Sequence, residues 1–373
     1  MAETCLFSVS DTFESARHLP ELAQSHPEAR RHGHSFRVSC RLPASLGSGE
    51  FAGAELDAAS QHLRDVTQSI SYQDLNTLFE SPSNTHLAAW FCEKLRAIEP
   101  QALELASTPD QGVVLQPSAD KAAQAYAWRR FSFQAAHRLP HVPAGHKCGN
   151  MHGHGFEVVL HVALPGPGNS HSALELSATN EAIGAAWAPL KQQLHYGCLN
   201  DIPGLENPTS EQIACWLWSQ LVQKLPGLQF VTVYENASCG SIFDGEQVRI
   251  WKELSMDSAL TLRHAPQGDG RRRLHGHTYV LRLHLAGPLD EVLGWTVDFG
   301  DVKDLFQPIF KRFDHKPLHE IEGLNDCDTV SLAKWLQAES SGLLPALNRI
   351  DLYPTRQQGV ILSWGSKAPA LSV

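Results

Sequence analysis

Three His-Gly-His triplets, His32-Gly33-His34, His152-Gly153-His154 and His275-Gly276-His277, are the residues of this chain best suited to chemistry. On an extended strand, residues i and i+2 point to the same face, so each triplet offers two imidazoles side by side. Upstream of each stands a further histidine close to a proline: His18, His137 and His264. Placed on a neighbouring strand, it completes a facial set of three imidazoles with a fourth position left for water or substrate, the pattern of a catalytic zinc ion. The expected zinc ligands are His137, His152 and His154, with weaker or partial sites at His18, His32 and His34 and at His264, His275 and His277. Only the middle copy has a thiol nearby, in Lys147-Cys148-Gly149-Asn150-Met151-His152. A metal and Lys147 would supply the positive surroundings that turn Cys148 into a thiolate. Glu28 and Arg271 take its place in the other copies.

The elements that must hold these residues repeat with them. The triplets recur at intervals of 120 and 123 residues, and each is followed by Phe36, Phe156 or Tyr279 and, further on, by Leu87-Ala88-Ala89-Trp90, Ile213-Ala214-Cys215-Trp216 or Leu332-Ala333-Lys334-Trp335. The chain therefore reads as three homologous units, 1–124, 125–254 and 255–373, with a linker-like stretch at 118–125. In the middle unit, runs 128–137 and 152–163 alternate in polarity as paired strands. Two helices are expected at 181–194 and 211–225, the second behind a Thr209-Ser210 cap. Strands at 229–234 and 247–252 close the unit. Pro308 is expected to kink or break the corresponding first helix of the third unit.

These motifs resemble the 6-pyruvoyl-tetrahydropterin and 6-carboxy-tetrahydropterin synthases of the T-fold superfamily, in three tandem copies and most clearly from Phe131 to Glu235. The resemblance implies an α+β fold in which three ββααββ units close into one twelve-stranded antiparallel barrel with helices outside. It implies a zinc-dependent lyase acting on 7,8-dihydroneopterin triphosphate, with Cys148 accepting a proton and Glu235 gripping the pterin ring. The family's Asp-His proton relay is absent from the middle unit, which reads Leu194-His195-Tyr196-Gly197. It is present in the third as Asp314-His315, where Pro354 replaces the anchoring Glu; the first unit has Ser71-Tyr72 and Gln116 at those places. The complementary losses imply one composite site, with metal, thiol and anchor from the middle unit and Asp314-His315 from the third. The three-residue gap between Cys148 and the triplet favours the 6-carboxy-tetrahydropterin product of the queuosine route over 6-pyruvoyl-tetrahydropterin. Glu28-Ala29-Arg30-Arg31-His32 is similar to a variant branch with Glu in place of the Cys, and Arg271-Arg272-Arg273 is a run that could meet a triphosphate. The competing reading is a catalytically inactive pterin- or purine-binding protein with structural zinc. A homodimer of stacked rings would imitate the family's hexamer.

Composition narrows the classes around this reading. With 40 acidic against 30 basic residues the formal charge is -10, which argues against nucleic acid or an anionic membrane as partner. No run approaches the roughly 18 apolar residues of a spanning helix, and the first residues lack the basic flank and apolar stretch of a signal peptide. Eight scattered Cys without CxxC spacing fit reduced thiols. The expected setting is cytoplasmic.

Overall fold

The computed structural model describes residues 3–45, 49–117, 123–166, 171–290, 292–324 and 326–364. The first unit contains β1 (Thr4–Arg17), β2 (His32–Pro43), α1 (Ala54–Gln68), α2 (Asn84–Lys94), β3 (Ala102–Thr108) and β4 (Gln111–Gln116). The second repeats it with β5 (Gln124–His137), β6 (His152–Ala163), α3 (Ala173–Leu194), a two-residue β7 (Gly197–Cys198), α4 (Ser210–Leu221), β8 (Leu228–Asn236) and β9 (Cys239–Phe243). The third has β10 (Val248–Leu260), β11 (His275–Ala286), α5 (Phe299–Phe313), β12 (Lys316–Pro317), α6 (Thr329–Ser340), β13 (Leu347–Thr355) and β14 (Gln358–Ser363).

Twelve of these strands form one antiparallel ring, β1-β2-β3-β4-β5-β6-β8-β9-β10-β11-β13-β14, closed because β14 pairs with β1 from Thr4 opposite Ser363 to Val9 opposite Gln358. Closure removes the edges that three separate sheets would expose. The short β7 and β12 add in parallel to β5 and β10. The helices cover the outer face, and the main apolar core lies between them and the sheet; Phe133, Phe156, Val158, Val233 and Leu217 belong to it and are fully buried. The strands alternate faces, so the positions between these residues point into the barrel lumen.

The structure redraws several expected elements. The first helix of the middle unit begins at Ala173, where Ser172 and Glu175 form a reciprocal capping box. The fourth strand of that unit is β9, whereas 247–252 opens β10 of the third unit, so residue 254 falls inside a strand and not at a boundary. The linker-like stretch 118–125 lies mostly outside the described residues, and β5 starts at Gln124. Pro308 sits inside α5 without ending it. Val302, Phe306, Ile309 and Phe313 bury one face of that helix, and this packing outweighs the missing backbone donor. After each first helix the chain reverses through a residue of positive φ: Tyr72, Tyr196 and His315. Each gives its N–H to the first strand of its own unit, at Glu14, Gln134 and Asp257 respectively.

Candidate metal centre and substrate cleft

In the middle unit the register alone assembles the imidazoles. His137, the last residue of β5, pairs with His152, the first of β6, and His154 pairs with Ala135. The ligand-capable nitrogens of His137, His152 and His154 all lie within 4.8 Å of one another. Each Nδ1 faces a backbone carbonyl: Pro208 at 3.2 Å, Asn150 at 2.9 Å and Gly155 at 3.2 Å. A carbonyl only accepts, so each Nδ1 carries the proton and each Nε2 keeps its lone pair free. Nε2 of His137 and of His154 then approach to 3.1 Å with two lone pairs converging. Such an approach calls for a shared cation, and the donor set fits a borderline metal ion with nitrogen ligands. Burial, followed by the nearby His152, holds His137 down at about 4, and burial also lowers His154, so both remain neutral as ligands must.

The other two units do not repeat this set. Opposite His32 stands Arg17, and opposite His275 stands Leu260. His18 lies one residue beyond the end of β1, while His264 lies four beyond β10 and contacts Asp326. The expected ligand roles of His18 and His264 are therefore corrected. The shared His-near-Pro pattern sits at different distances from the triplet, and strand register selects only the residue fifteen positions before it. In the first unit Glu28, His32 and His34 are close enough to hold an ion, but a guanidinium already occupies the place. Arg17 is fully buried, donates to the Pro82 carbonyl at 2.9 Å and Asn84 Oδ1 at 2.7 Å, and lies 3.4 Å from His34 Nε2 and 3.9 Å from Glu28. Burial lowers it only to about 10, so it stays cationic at neutral pH. His34, held at about 4 by burial and then by Arg17, is neutral.

Beside the metal centre lies a cavity of about 240 Å³. Cys148 reaches it from a short 3-10 turn and Glu235 from the end of β8. Glu211, in the first turn of α4 behind the Thr209 cap, also lines it. The far wall comes from the third unit: Lys252, Trp295, Asp298 and Lys303. His146 and Asp298, 3.6 Å apart, bridge the two units. Burial pushes the Cys148 thiol up, the carboxylates of Glu235 and Asp298 push it further, and Lys147 only partly opposes them. The lowering expected of Lys147 is present but outweighed. Burial likewise raises Glu235, against His152 and Lys252.

Glu211 is the residue that sequence reasoning overlooked. It is 1% exposed, accepts from Ser210 Oγ at 3.0 Å and from the Thr296 N–H at 3.3 Å, and is pushed up to about 7, chiefly by burial. Aligning Pro208-Thr209-Ser210-Glu211 with Pro82-Ser83-Asn84-Thr85 and Cys327-Asp328-Thr329-Val330 shows an acid at the fourth position only in the middle unit, which was the available signal. A carboxyl raised by folding stabilises below its unfolded value, near 4.3, and loses that contribution as pH rises through 7. Glu211→Gln is thus expected to be about 3 kcal/mol more stable than the unaltered, metal-free protein at pH 8 and equally stable near pH 4, by urea denaturation at both pH values.

The expected composite partner is placed differently. His315 Nδ1 lies 3.0 Å from Asp314, whose other oxygen accepts from the Asp257 N–H at 3.0 Å. Asp314 raises His315, which is largely exposed. Neither residue lines the Cys148 cavity, and the third unit faces it through Lys252 and residues 295–303. Pro354 does correspond to Glu235, but in the first unit strand register gives that place to Ser107, not Gln116. Arg271 is engaged by Asp269 and Asp57 and stacks on Phe51 at 4.6 Å. This ties it to the first unit, across the boundary between the two units.

Among known proteins, the family described as 6-pyruvoyl tetrahydropterin synthase matches residues 126–246 and 249–363. The chain is 38% identical over 113 residues to a 6-carboxy-5,6,7,8-tetrahydropterin synthase of Synechocystis sp., covering 30% of this chain and 86% of that one. It is 29% identical over 121 residues to a dihydroneopterin monophosphate aldolase of Pyrococcus furiosus, covering 32% and 99%. Among solved structures, the 6-pyruvoyl tetrahydropterin synthase of Caenorhabditis elegans aligns at 17% identity with a TM-score of 0.27, over 31% of this chain and 94% of that one.

Proposed function

Since the chain belongs to the 6-pyruvoyl tetrahydropterin synthase family, we propose that it converts 7,8-dihydroneopterin triphosphate to a 6-substituted tetrahydropterin, 6-carboxy-tetrahydropterin first, at a single cleft in the middle unit. One observation carries this: among the described residues, only there does a cluster of three imidazoles adjoin, through His137, a cavity that a thiol, the buried Glu211 and the half-buried Glu235 also line. His137, His152 and His154 would hold zinc, which when bound polarises side-chain oxygens and stabilises developing negative charge. Glu235 and Glu211 accept from the ring N–H and amino groups of the pterin, fixing its plane. Cys148 takes the C–H proton as its thiolate, and Lys252 and Lys303 offset the carboxylate charge around the substrate. Asp298, which caps α5 through the N–H groups of Gly300 and Asp301, holds His146 and so fixes the turn that carries Cys148.

Incubation with 7,8-dihydroneopterin triphosphate and mass spectrometry of the products tests the proposal. Formation of 6-carboxy-tetrahydropterin supports it, 6-pyruvoyl-tetrahydropterin would move the assignment to the sister reaction, and saturable binding without turnover would establish an inactive pterin-binding protein. The exposed Asp314-His315 pair, away from the thiol, favours that second reading. We place the reaction in the queuosine route and in the cytoplasm. No helix among the described residues is long and apolar enough to cross a membrane. Two rings stacked as a homodimer are proposed as the solution state, and a strictly monomeric mass would refute it.

A further inference from the structure

The lumen of the barrel is a second cavity, of about 650 Å³, lined by inward-facing residues of all three units. It is separate from the Cys148 cleft: Tyr234 lines the lumen, while Glu235, next along β8, lines the cleft. Five arginines, Arg37, Arg41, Arg130, Arg282 and Arg356, face it against three carboxylates, Asp11, Glu104 and Glu253. Some of these charges are already paired: Glu253 with Arg282 at 2.6 Å and Arg130 with Glu157 at 2.5 Å, while Asp11 accepts from Thr67.

The lumen also has an excess of unsatisfied donors. Arg41 Nε, Trp128 Nε1 and Arg130 Nε are buried N–H groups without a hydrogen-bond partner. Arg41 is 6% exposed and Trp128 5%. Leaving such donors unmet costs roughly 1–3 kcal/mol each, and a positively charged enclosure short of acceptors is completed best by an oxyanion. Hydroxyls of Ser8, Ser10 and Ser39 lie on the same wall as Arg41, since Ser8 pairs with Arg41 and Ser10 with Ser39 across β1 and β2.

We propose that the lumen is an anion site for inorganic phosphates, from orthophosphate to tripolyphosphate, held by Arg41, Arg130 and Trp128 with the serine hydroxyls of β1 and β2. Occupancy adds counter-charge beside the lumen arginines and stabilises the folded chain, which alone presents the site.

Isothermal titration with sodium tripolyphosphate and with orthophosphate, at constant ionic strength, tests this on the full chain. Saturable binding is expected, with a rise in Tm that sodium chloride at equal ionic strength does not reproduce. Arg41→Gln and, as a milder change that keeps the ring, Trp128→Phe are each expected to weaken tripolyphosphate binding at least tenfold while metal content and pterin turnover persist. His154→Ala, which alters the metal centre of the cleft, is expected to leave the affinity unchanged. Three results would overturn the proposal: no saturable binding, binding indifferent to both lumen variants, or loss of binding in His154→Ala, which would assign the anion to the cleft.

Discussion

Cys148→Ala is expected to lower kcat for the dihydroneopterin triphosphate reaction by roughly 10²–10⁴-fold, the usual contribution of a positioned proton-transfer group. KM and metal content should stay near their original values, because the thiol is four residues from His152 and is not among the three clustered imidazoles. The pH profile gives the sign independently. Burial and two carboxylates raise the thiol, so at neutral pH the thiolate is the minor form and kcat/KM should climb as pH rises toward the raised value. In Cys148→Ala that limb should disappear. A variant that keeps both the rate and the rising limb would remove Cys148 from the mechanism, and a flat profile in the unaltered enzyme would mean that the proton goes elsewhere.

Arg17→His is expected to raise the metal content from one to two ions per chain, measured by inductively coupled plasma mass spectrometry after gel filtration. The frame for a second site is already built. His32 and His34 repeat the strand register of His152 and His154, and the residue opposite His32 is the one that is His137 in the middle unit. The Pro82 carbonyl that now accepts from Arg17 corresponds to the Pro208 carbonyl that orients His137. An imidazole at 17 would therefore find its orienting acceptor in place. The third unit, with Leu260 opposite His275, should remain empty in both proteins. A content that stays at one in Arg17→His would show that the guanidinium is not what excludes the ion, and two or three ions in the unaltered chain would contradict the whole assignment.

Much of this arrangement was legible because the repeat is written in residues with strong local rules. His-Gly-His on an alternating strand gives two imidazoles on one face whatever the rest of the chain does, and three copies with matching aromatic and Ala-x-Trp segments imply three equal units. The third ligand was harder. His18, His137 and His264 look alike beside their prolines, yet only the fifteen-residue spacing that pairs strand end with strand start places a side chain at the metal, and it selects Arg17, His137 and Leu260. The cleft was half legible. Cys148 and Glu235 are marked by local motifs, whereas Glu211 and Asp298 become neighbours only when α4 and the start of α5 meet across two units, a contact with no local signature. Asp314-His315 showed the opposite failure: a motif easy to read, held by its own β10 instead of the neighbouring thiol. The lumen left no trace in any one segment, because its wall takes alternate residues from nine strands.

Ring closure within a single chain frees each position from being copied around the axis. Strand register makes Ser10, Arg130 and Glu253 counterparts, and likewise Arg41, His161 and His284. In a ring of three identical subunits, any one of these choices would appear three times. Three arginines at the place of Arg41 would face one another across the lumen, and a fault worth about 1 kcal/mol would be met three times over. Here Glu253 can neutralise Arg282 while Arg130, its counterpart, binds Glu157 instead. The same place in the ring thus carries opposite charges in two units, each answered by a partner on the adjacent strand. Symmetry has become a starting point that each third of the chain departs from at single cost, and the same freedom lets the first unit set a guanidinium where the second keeps three imidazoles.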